Sequence, residues 1–302
     1  MRSNFLQIRV TEELDKVKLR NYLKYHVGLS SRLIKKAAME KRILVNEEII
    51  KLNYVVKKED EIKIDLNREE SQNITPQNIP INIIYEDEDI IVVDKEPFMV
   101  VHPTKSHKEG TLANGVLYHF KVNGEGCIVR LVSRLDMDTS GLVIIAKNQH
   151  SHMNLAKDME NNNIDKIYLA IVHGKLSEKS GKIDLPIGKP SFESIKREVM
   201  KEGQTSITHY EVLEEYKDAS LVKLKLETGR THQIRVHLSH IGHPIYGDAL
   251  YGKEENELIQ RQALHAYKLK FLHPKNRNQM NLEASIPKDI NDLLKKLKVS
   301  KI

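Results

Sequence analysis

Between Asn67 and Pro80 the chain reads NREESQNITPQNIP, a polar stretch with two prolines and no sustained period. It offers neither a helical stripe nor an alternating strand, so it is expected to separate two folded units. The boundaries are a unit over 13–66, a linker over 67–80 and a unit over 81–302 of the 302 residues. The second unit is long enough to bury one substantial core.

The first unit carries the charge. From Lys16 to Arg42 there are nine basic residues and one acid, Glu40, a local +8 in a chain whose total is +6. A solvated helical face is the ordinary account of a charge run. Here one sign dominates so strongly that a counter-charge is needed, and phosphate is its natural source. Val17, Leu19, Tyr22 and Leu23, then Leu33, Ile34, Ala37 and Ala38, recur at helical spacing around Gly28-Leu29-Ser30-Ser31. Two short helices are predicted, the second opened by a serine cap. Strand-like pieces follow at Ile43–Asn46, Asn53–Val56 and Glu61–Ile64. The candidate phosphate contacts are Lys16, Lys18, Arg20, Arg32, Lys35, Lys36, Lys41 and Arg42.

Several classes are disfavoured. The chain is 40% hydrophobic and 30% charged, the balance of an ordinary globular protein. No apolar run exceeds the six residues from Ile167 to Val172, and the opening MRSNFLQIRV lacks the apolar centre of a secretory signal. No membrane association and a cytoplasmic location are expected. The single cysteine, Cys127, supplies neither an internal disulfide nor a paired-cysteine metal site. Neither a Walker loop nor a dinucleotide fingerprint occurs, so no nucleotide cofactor is expected. His237, His240 and His243 are spaced by three, but Gly242 and Pro244 end the helix before the third joins, so no metal is expected.

In the second unit, Ile81–Tyr85 and Ile90–Asp94 flank an acidic turn and outline a hairpin. Further strands are predicted at 142–146, 167–172, 207–213 and 221–226, the last alternating Val222, Leu224 and Leu226 with Lys223 and Lys225. Helices are predicted at 112–120, 150–160 and 231–241, with a C-terminal one bearing Ile290, Leu293, Leu294 and Leu297. Adjacent strands with scattered helices predict an α+β fold with a mostly antiparallel sheet.

Three segments combine polar groups with apolar anchors. In VSRLDMDTSGLVIIAKN, Asp136 precedes a small turn, Thr139-Ser140-Gly141, from which an apolar strand enters the core. Asp136 and Asp138 either cap turn amides, as loop aspartates often do, or one of them is held rigidly near water and substrate. In ETGRTHQIRVHLSHIGHPIYG, Thr231 is a candidate helix cap and Ile234, Leu238 and Ile241 mark a buried stripe. That stripe places Arg235 on an accessible side, and Arg230 just ahead of the helix where amides attract anions. In KIYLAIVHG, Lys166, Tyr168 and Ala170 share one face of a strand.

At these residues the resemblance becomes specific. SRLDMDTSGLVIIAK, KIYLAIVHG and TGRTHQIRVHLSHIGHPIYGD, in that order, resemble the signature blocks of the RluA-type pseudouridine synthases. The hairpin from Ile83 to Thr104 resembles that family's entry segment, and the basic N-terminal unit resembles an RNA-binding module shared with a ribosomal small-subunit protein. The resemblance covers nearly the whole chain. It implies a bent, mostly antiparallel mixed sheet with a central cleft, and cofactor-free isomerisation of uridine to pseudouridine in structured RNA. Large-subunit ribosomal RNA is the expected partner, tRNA the other, and the expected state is a monomer.

The resemblance also assigns roles. The catalytic aspartate falls on Asp136, its partner tyrosine on Tyr168 and the site arginine on Arg235, while Arg134 falls where the family's arginine helps displace and hold the flipped nucleotide. Arg230, His232 and Thr139 are candidate substrate contacts. Two departures from the family pattern are Ser133, where histidine is common, and Glu96-Pro97-Phe98 after the hairpin lysine. Asp136 would act as a nucleophile or by removing a sugar proton. Two other readings are a non-catalytic RNA-binding factor, which would not need Asp136, Tyr168 and Arg235 together, and a methyltransferase using Cys127.

Overall fold

The computed structural model describes residues 5–14, 16–66, 72–255 and 257–299, with Arg32 described without its side chain. The first unit comprises β1 (Phe5–Arg9), α1 (Leu19–Tyr25), α2 (Ser31–Met39), β2 (Ile43–Val45), β3 (Glu48–Ile49) and β4 (Glu61–Asp65). Its sheet runs β1-β4-β2-β3, all antiparallel. Leu19, Leu23, Leu33, Ile34 and Ala37 from the helices meet Ile43, Ile62 and Ile64 from the sheet in one core. The side chain of Ser30 accepts from the Leu33 amide at 3.2 Å, the serine cap the sequence predicts.

Two expectations for this unit change. The sheet takes in β1, upstream of the predicted start at residue 13, because Phe5–Arg9 pairs with Glu61–Asp65 along its whole length. Residues 53–56 form no strand; Val55 makes only an isolated bridge to Lys18.

The second unit comprises β5 (Asn82–Glu86), β6 (Ile90–Lys95), α3 (Leu112–Val122), β7 (Arg130–Leu131), β8 (Ser140–Ala146), α4 (Gln149–Glu160), β9 (Asp165–His173) and β10 (Ser180–Asp184). It continues with β11 (Ile187–Gly188), β12 (Glu198–Val199), β13 (Ile207–Glu215), β14 (Ala219–Leu226), α5 (Gln233–His240), β15 (Leu264–Leu272), β16 (Gln279–Glu283) and α6 (Lys288–Val299). A ten-stranded sheet runs β10-β13-β14-β9-β15-β8-β6-β5, with β16 on β15 and β7 on β8. Every pairing in it is antiparallel except β15 with β8, a short parallel contact of His265 with Ser140 and Ala266 with Gly141. There the backbones nearly touch. Gly141 has φ +112, and a Cβ on it would lie 2.3 Å from the Ala266 carbonyl oxygen. The α+β class and mostly antiparallel sheet match the sequence expectation.

Apolar layers cover both faces. Ile234 and Leu238 of α5 and Ile290 and Leu293 of α6 join β9 and β14 in one cluster. Leu155 of α4 packs with Ile90, Val92, Leu142 and Ile144 in a second, and Val116 and Phe120 of α3 with Ile91, Val93, Val143 and Ile145 in a third. Because β6 and β8 feed both of the latter clusters, they read as continuous apolar runs.

The predicted linker is only in part a connection. Residues 67–71 lie outside the described residues, but 72–80 are fastened to the second unit. Gln72 exchanges two hydrogen bonds with the Val129 backbone, Asn114 donates to the Thr75 carbonyl, and Gln77 accepts from the Gly110 amide at 2.7 Å. Polar composition marked the stretch as solvated, whereas its side chains satisfy backbone groups of the larger unit.

Candidate active site

Asp136 ends an irregular segment just before β8. Its carbonyl accepts from the Thr139 amide at 3.1 Å, closing a turn over Met137 and Asp138. The next three residues are each gripped by a donor from elsewhere. Lys95 Nζ, at the end of β6, donates to the Met137 carbonyl at 2.9 Å and also to Glu96 and Met99. Arg261 Nη1 donates to the Asp138 carbonyl at 3.1 Å, and Gln262 donates to the Thr139 hydroxyl at 3.2 Å. Arg261 is itself anchored through Nε and Nη2 to Asp289 of α6. The loop is therefore rigid on a scaffold of three elements, while the Asp136 side chain keeps 27% of its exposure. Burial, with Arg261 nearby, pushes the Lys95 ammonium down to about 7.

Arg235 reaches this carboxylate from α5. Its Nη1 donates to Asp136 Oδ2 at 2.9 Å, while Nε and Nη2 form a two-pronged pair with Asp248 at 2.7 and 2.8 Å. Asp248 is fully buried and also accepts the Leu250 and Tyr251 amides. The Tyr251 ring lies under the guanidinium, 5.1 Å from centroid to Cζ. Burial works against the charge on Arg235, but Asp248 and Asp136 outweigh it and leave the pKa raised. The sequence placed Arg235 on an accessible side. It is instead 8% exposed, because residues 233–238 are all buried and α5 is no surface helix.

The start of α5 also differs. The N-cap is His232, not Thr231, and no side chain caps it. Gln233 turns back to accept from the Arg230 amide and the Thr228 hydroxyl. His232 adopts φ +58, rare for a side-chain-bearing residue, and this conformation accompanies an Nε2 position 3.8 Å from Asp136 Oδ2. Its Nδ1 lies 2.8 Å from the Tyr251 hydroxyl. Burial, with Arg235 and Arg197 adding to it, lowers the His232 pKa from the usual histidine value, and Asp136 opposes the shift.

Tyr168, in the middle of β9, is half-buried. Burial, reinforced by the Asp136 charge, raises its pKa well above the usual tyrosine value and keeps the phenol protonated. Asp136, Tyr168 and the pair His232 and Arg235 at the start of α5 are thus gathered at one place from three different segments.

The other candidates form no side-chain hydrogen bond or ion pair with these four among the described residues. Arg134 is exposed and makes no ion pair among the described residues. Arg230 is exposed, with Nε donating to the Thr205 carbonyl at 3.2 Å. Thr139 is 3% exposed and holds Gln262, so as a substrate contact it is corrected: its hydroxyl faces the scaffold. In the first unit Lys16, Lys18, Arg20, Lys35 and Lys41 are exposed and Lys36 is half-buried. Arg42 is corrected too. It pairs with Glu40 at 2.7 Å and donates to the Asp65 carbonyl, which leaves it tying the end of α2 to β4. The side chain of Arg32 lies outside the described residues. Both ring nitrogens of His237 are engaged, with Thr208 and the Leu185 carbonyl, leaving none for a metal. Burial, with Glu125 beside it, pushes the Cys127 thiol up to about 12, far from a usable nucleophile.

Residues 89–240 match the family described as RNA pseudouridylate synthase. The chain is 40% identical over 290 residues to an uncharacterized RNA pseudouridine synthase, YhcT, of Bacillus subtilis, covering 95% of this chain and 96% of that one. The chain belongs to the RNA pseudouridylate synthase family. It is also 38% identical over 261 residues to ribosomal large subunit pseudouridine synthase D of Zymomonas mobilis, covering 82% of each. Human RNA Pseudouridylate Synthase Domain Containing 4 has the same fold, with a TM-score of 0.61, 22% identity, and coverage of 72% of this chain and 93% of that one. As a pseudouridine synthase the protein is an isomerase acting on uridine in RNA. Among the described residues, no helix is long and apolar enough to cross a membrane.

Sequence reading missed the residues that hold this synthase's loop and arginine: Lys95, Asp248, Tyr251, Arg261 and Gln262. The available signals were faint. Asp248 follows Tyr246-Gly247 like any turn aspartate, and only the fold reveals Arg235 beside it.

Proposed function

We propose that the synthase modifies structured large-subunit ribosomal RNA in the cytoplasm, with Asp136 as the catalytic carboxylate and Tyr168 and Arg235 as its partners. The carrying observation is the placement of Asp136: a half-exposed carboxylate on a clamped loop, paired to one nitrogen of a buried arginine. The name of the Zymomonas relative supports the choice of RNA.

The reaction breaks the bond from ribose C1′ to uracil N1 and forms one from C1′ to C5. The hydrogen on C5 leaves to solvent, and N1 takes up a proton. Asp136 serves by attacking the sugar or by removing a sugar proton, and Arg235 fixes its direction and balances its charge. Tyr168 offers a flat ring for the detached base and a protonated hydroxyl for the proton transfers. The target must first leave its stack, at a cost of a few kcal/mol, and Arg134, exposed and two residues before Asp136, fills the gap in this reading. His232 and Arg230 border the nucleotide and its phosphates, and Lys16, Lys18, Arg20, Lys35, Lys36 and Lys41 of the 13–66 unit supply salt-dependent docking.

Ribosomal RNA carrying tritium at uracil C5 tests this directly. Wild-type protein is expected to release tritium and Asp136→Asn to release none while still binding. Absence of release by the wild type on both ribosomal RNA and tRNA would overturn the reading; release from tRNA alone would reassign the substrate.

A further inference from the structure

Lys166 stands outside the network described above. Its side chain is carried by β9, two residues from Tyr168 and on the same face, about 6.6 Å along the strand at roughly 3.3 Å per residue. The residue is only 8% exposed, yet among the described residues no carboxylate or carbonyl receives its ammonium. Among the described residues its sole hydrogen-bond partner is the thioether of Met159, 3.3 Å away. Thioether sulfur is a weak acceptor, so a group with three N–H donors is left nearly unsatisfied. Burial alone lowers its pKa from the usual lysine value, with no neighbouring charge to offset that. A buried cation in this condition is costly, and such groups persist where something else completes them.

The neighbouring loop shows where a partner would enter. Gly229 is exposed, and the position its Cβ would take is 3.7 Å from Lys166 Nζ, the only neighbour within 4 Å. Its φ is not in the left-handed region, so the backbone does not require glycine there. With glycine at 229, no side chain of that residue stands against the ammonium. The exposed run Gly229-Arg230-Thr231 then leads directly to His232, whose ring faces Asp136. Gly229 therefore lies three residues before the histidine whose Nε2 is 3.8 Å from Asp136, and Lys166 two residues before the tyrosine on the same strand.

We propose that Lys166 receives a backbone phosphate oxygen of the RNA next to the reacting uridine, admitted through the gap at Gly229. The inference rests on the pseudouridine synthase reading of the same cleft. A phosphate satisfies what the site lacks, a strong anionic acceptor with several lone pairs. It also gives the nucleotide a second fixed point, so that sugar and base are held between Lys166 and Asp136 as the base turns. Lys166 is in this account a substrate contact and takes no part in bond breaking.

The test uses the full-length protein with in vitro transcribed large-subunit ribosomal RNA. Affinity is measured over a salt series in the Asp136→Asn background, and tritium release in the otherwise native protein. Lys166→Met, whose apolar chain fits beside Met159, is expected to weaken binding about tenfold, the usual worth of one charged hydrogen bond. It should also flatten the plot of log affinity against log salt by about 0.7–0.9, the share of one phosphate. Melting temperature should not fall, because a buried unpaired charge has been removed. Gly229→Val keeps the lysine but covers it, and is expected to reproduce the loss of affinity; it decides the matter alone if Lys166→Met does not fold. Unchanged salt slope and affinity in the folded variants would overturn the proposal. Failure of the synthase reading is seen separately, as absent tritium release by wild-type protein.

Discussion

Asp248 takes two of the three nitrogens of Arg235, at 2.7 and 2.8 Å, and leaves only Nη1 to Asp136. The buried carboxylate is thus the mooring of the arginine, and the half-exposed one is its working partner. Asp248→Asn keeps the shape but removes the charge beneath Arg235. Breaking a buried pair in this way is expected to cost about 3 kcal/mol of stability, read from urea unfolding, and to lower turnover more than RNA affinity.

Asp136→Asn is expected to reduce tritium release by about a thousandfold or more, with RNA affinity changed less than threefold. The buried Arg235–Asp248 pair remains, so unfolding should shift little. Equal losses of binding and turnover would remove Asp136 from its assigned role.

Lys95 links the hairpin to the Met137 carbonyl, and its folded pKa of about 7 lies below the ordinary lysine value of 10.5. Between those values the unfolded chain holds the proton and the folded one does not, so the group's contribution to stability rises with pH across that window. Below about 7 both states are charged and the contribution is at its least. Against Lys95→Met, wild-type protein is therefore expected to gain relative stability from about pH 7 towards 10. Parallel curves for the two proteins in urea titrations at several pH values would count against this. The variant should also turn over more slowly, since it frees the carbonyl next to Asp136.

Neutralising Lys35, Lys36 and Lys41 together is expected to weaken binding to ribosomal RNA and to reduce its salt slope by about two to three. Arg42 is left intact in this variant because its pair with Glu40 and its bond to Asp65 brace the unit. On short model RNAs that carry only the target uridine, turnover should be nearly unchanged. A matching loss there would show that the helices do more than dock.

Much of this fold is legible because its strands are short apolar runs bounded by turns. The hairpin of β5 and β6, the alternation in β14 and the helices α3, α4 and α6 fall close to where their patterns put them. Strand β15 does not announce itself: His265, Lys268 and Lys270 interrupt its apolar run, and its place between β8 and β9 is settled by segments about a hundred residues away. Strand β1 is five residues long with one buried side chain, Leu6, too little pattern to stand out. The candidate site divides the same way. Asp136, Tyr168 and Arg235 sit in dense local motifs, whereas Asp248, Arg261 and Lys95 matter only through distant contacts. Arg235 shows the limit of a stripe argument, which assumes that one side of a helix meets water.

The family match stops at residue 240, yet Asp248, Arg261 and Gln262, which moor the arginine and grip the loop, all come later in the chain. An excised fragment bounded by that match would carry the aspartate, the tyrosine and the arginine with their restraints cut away. For anyone trimming this protein to a minimal catalyst, the shortest piece worth making extends at least through α6, whose Asp289 anchors Arg261.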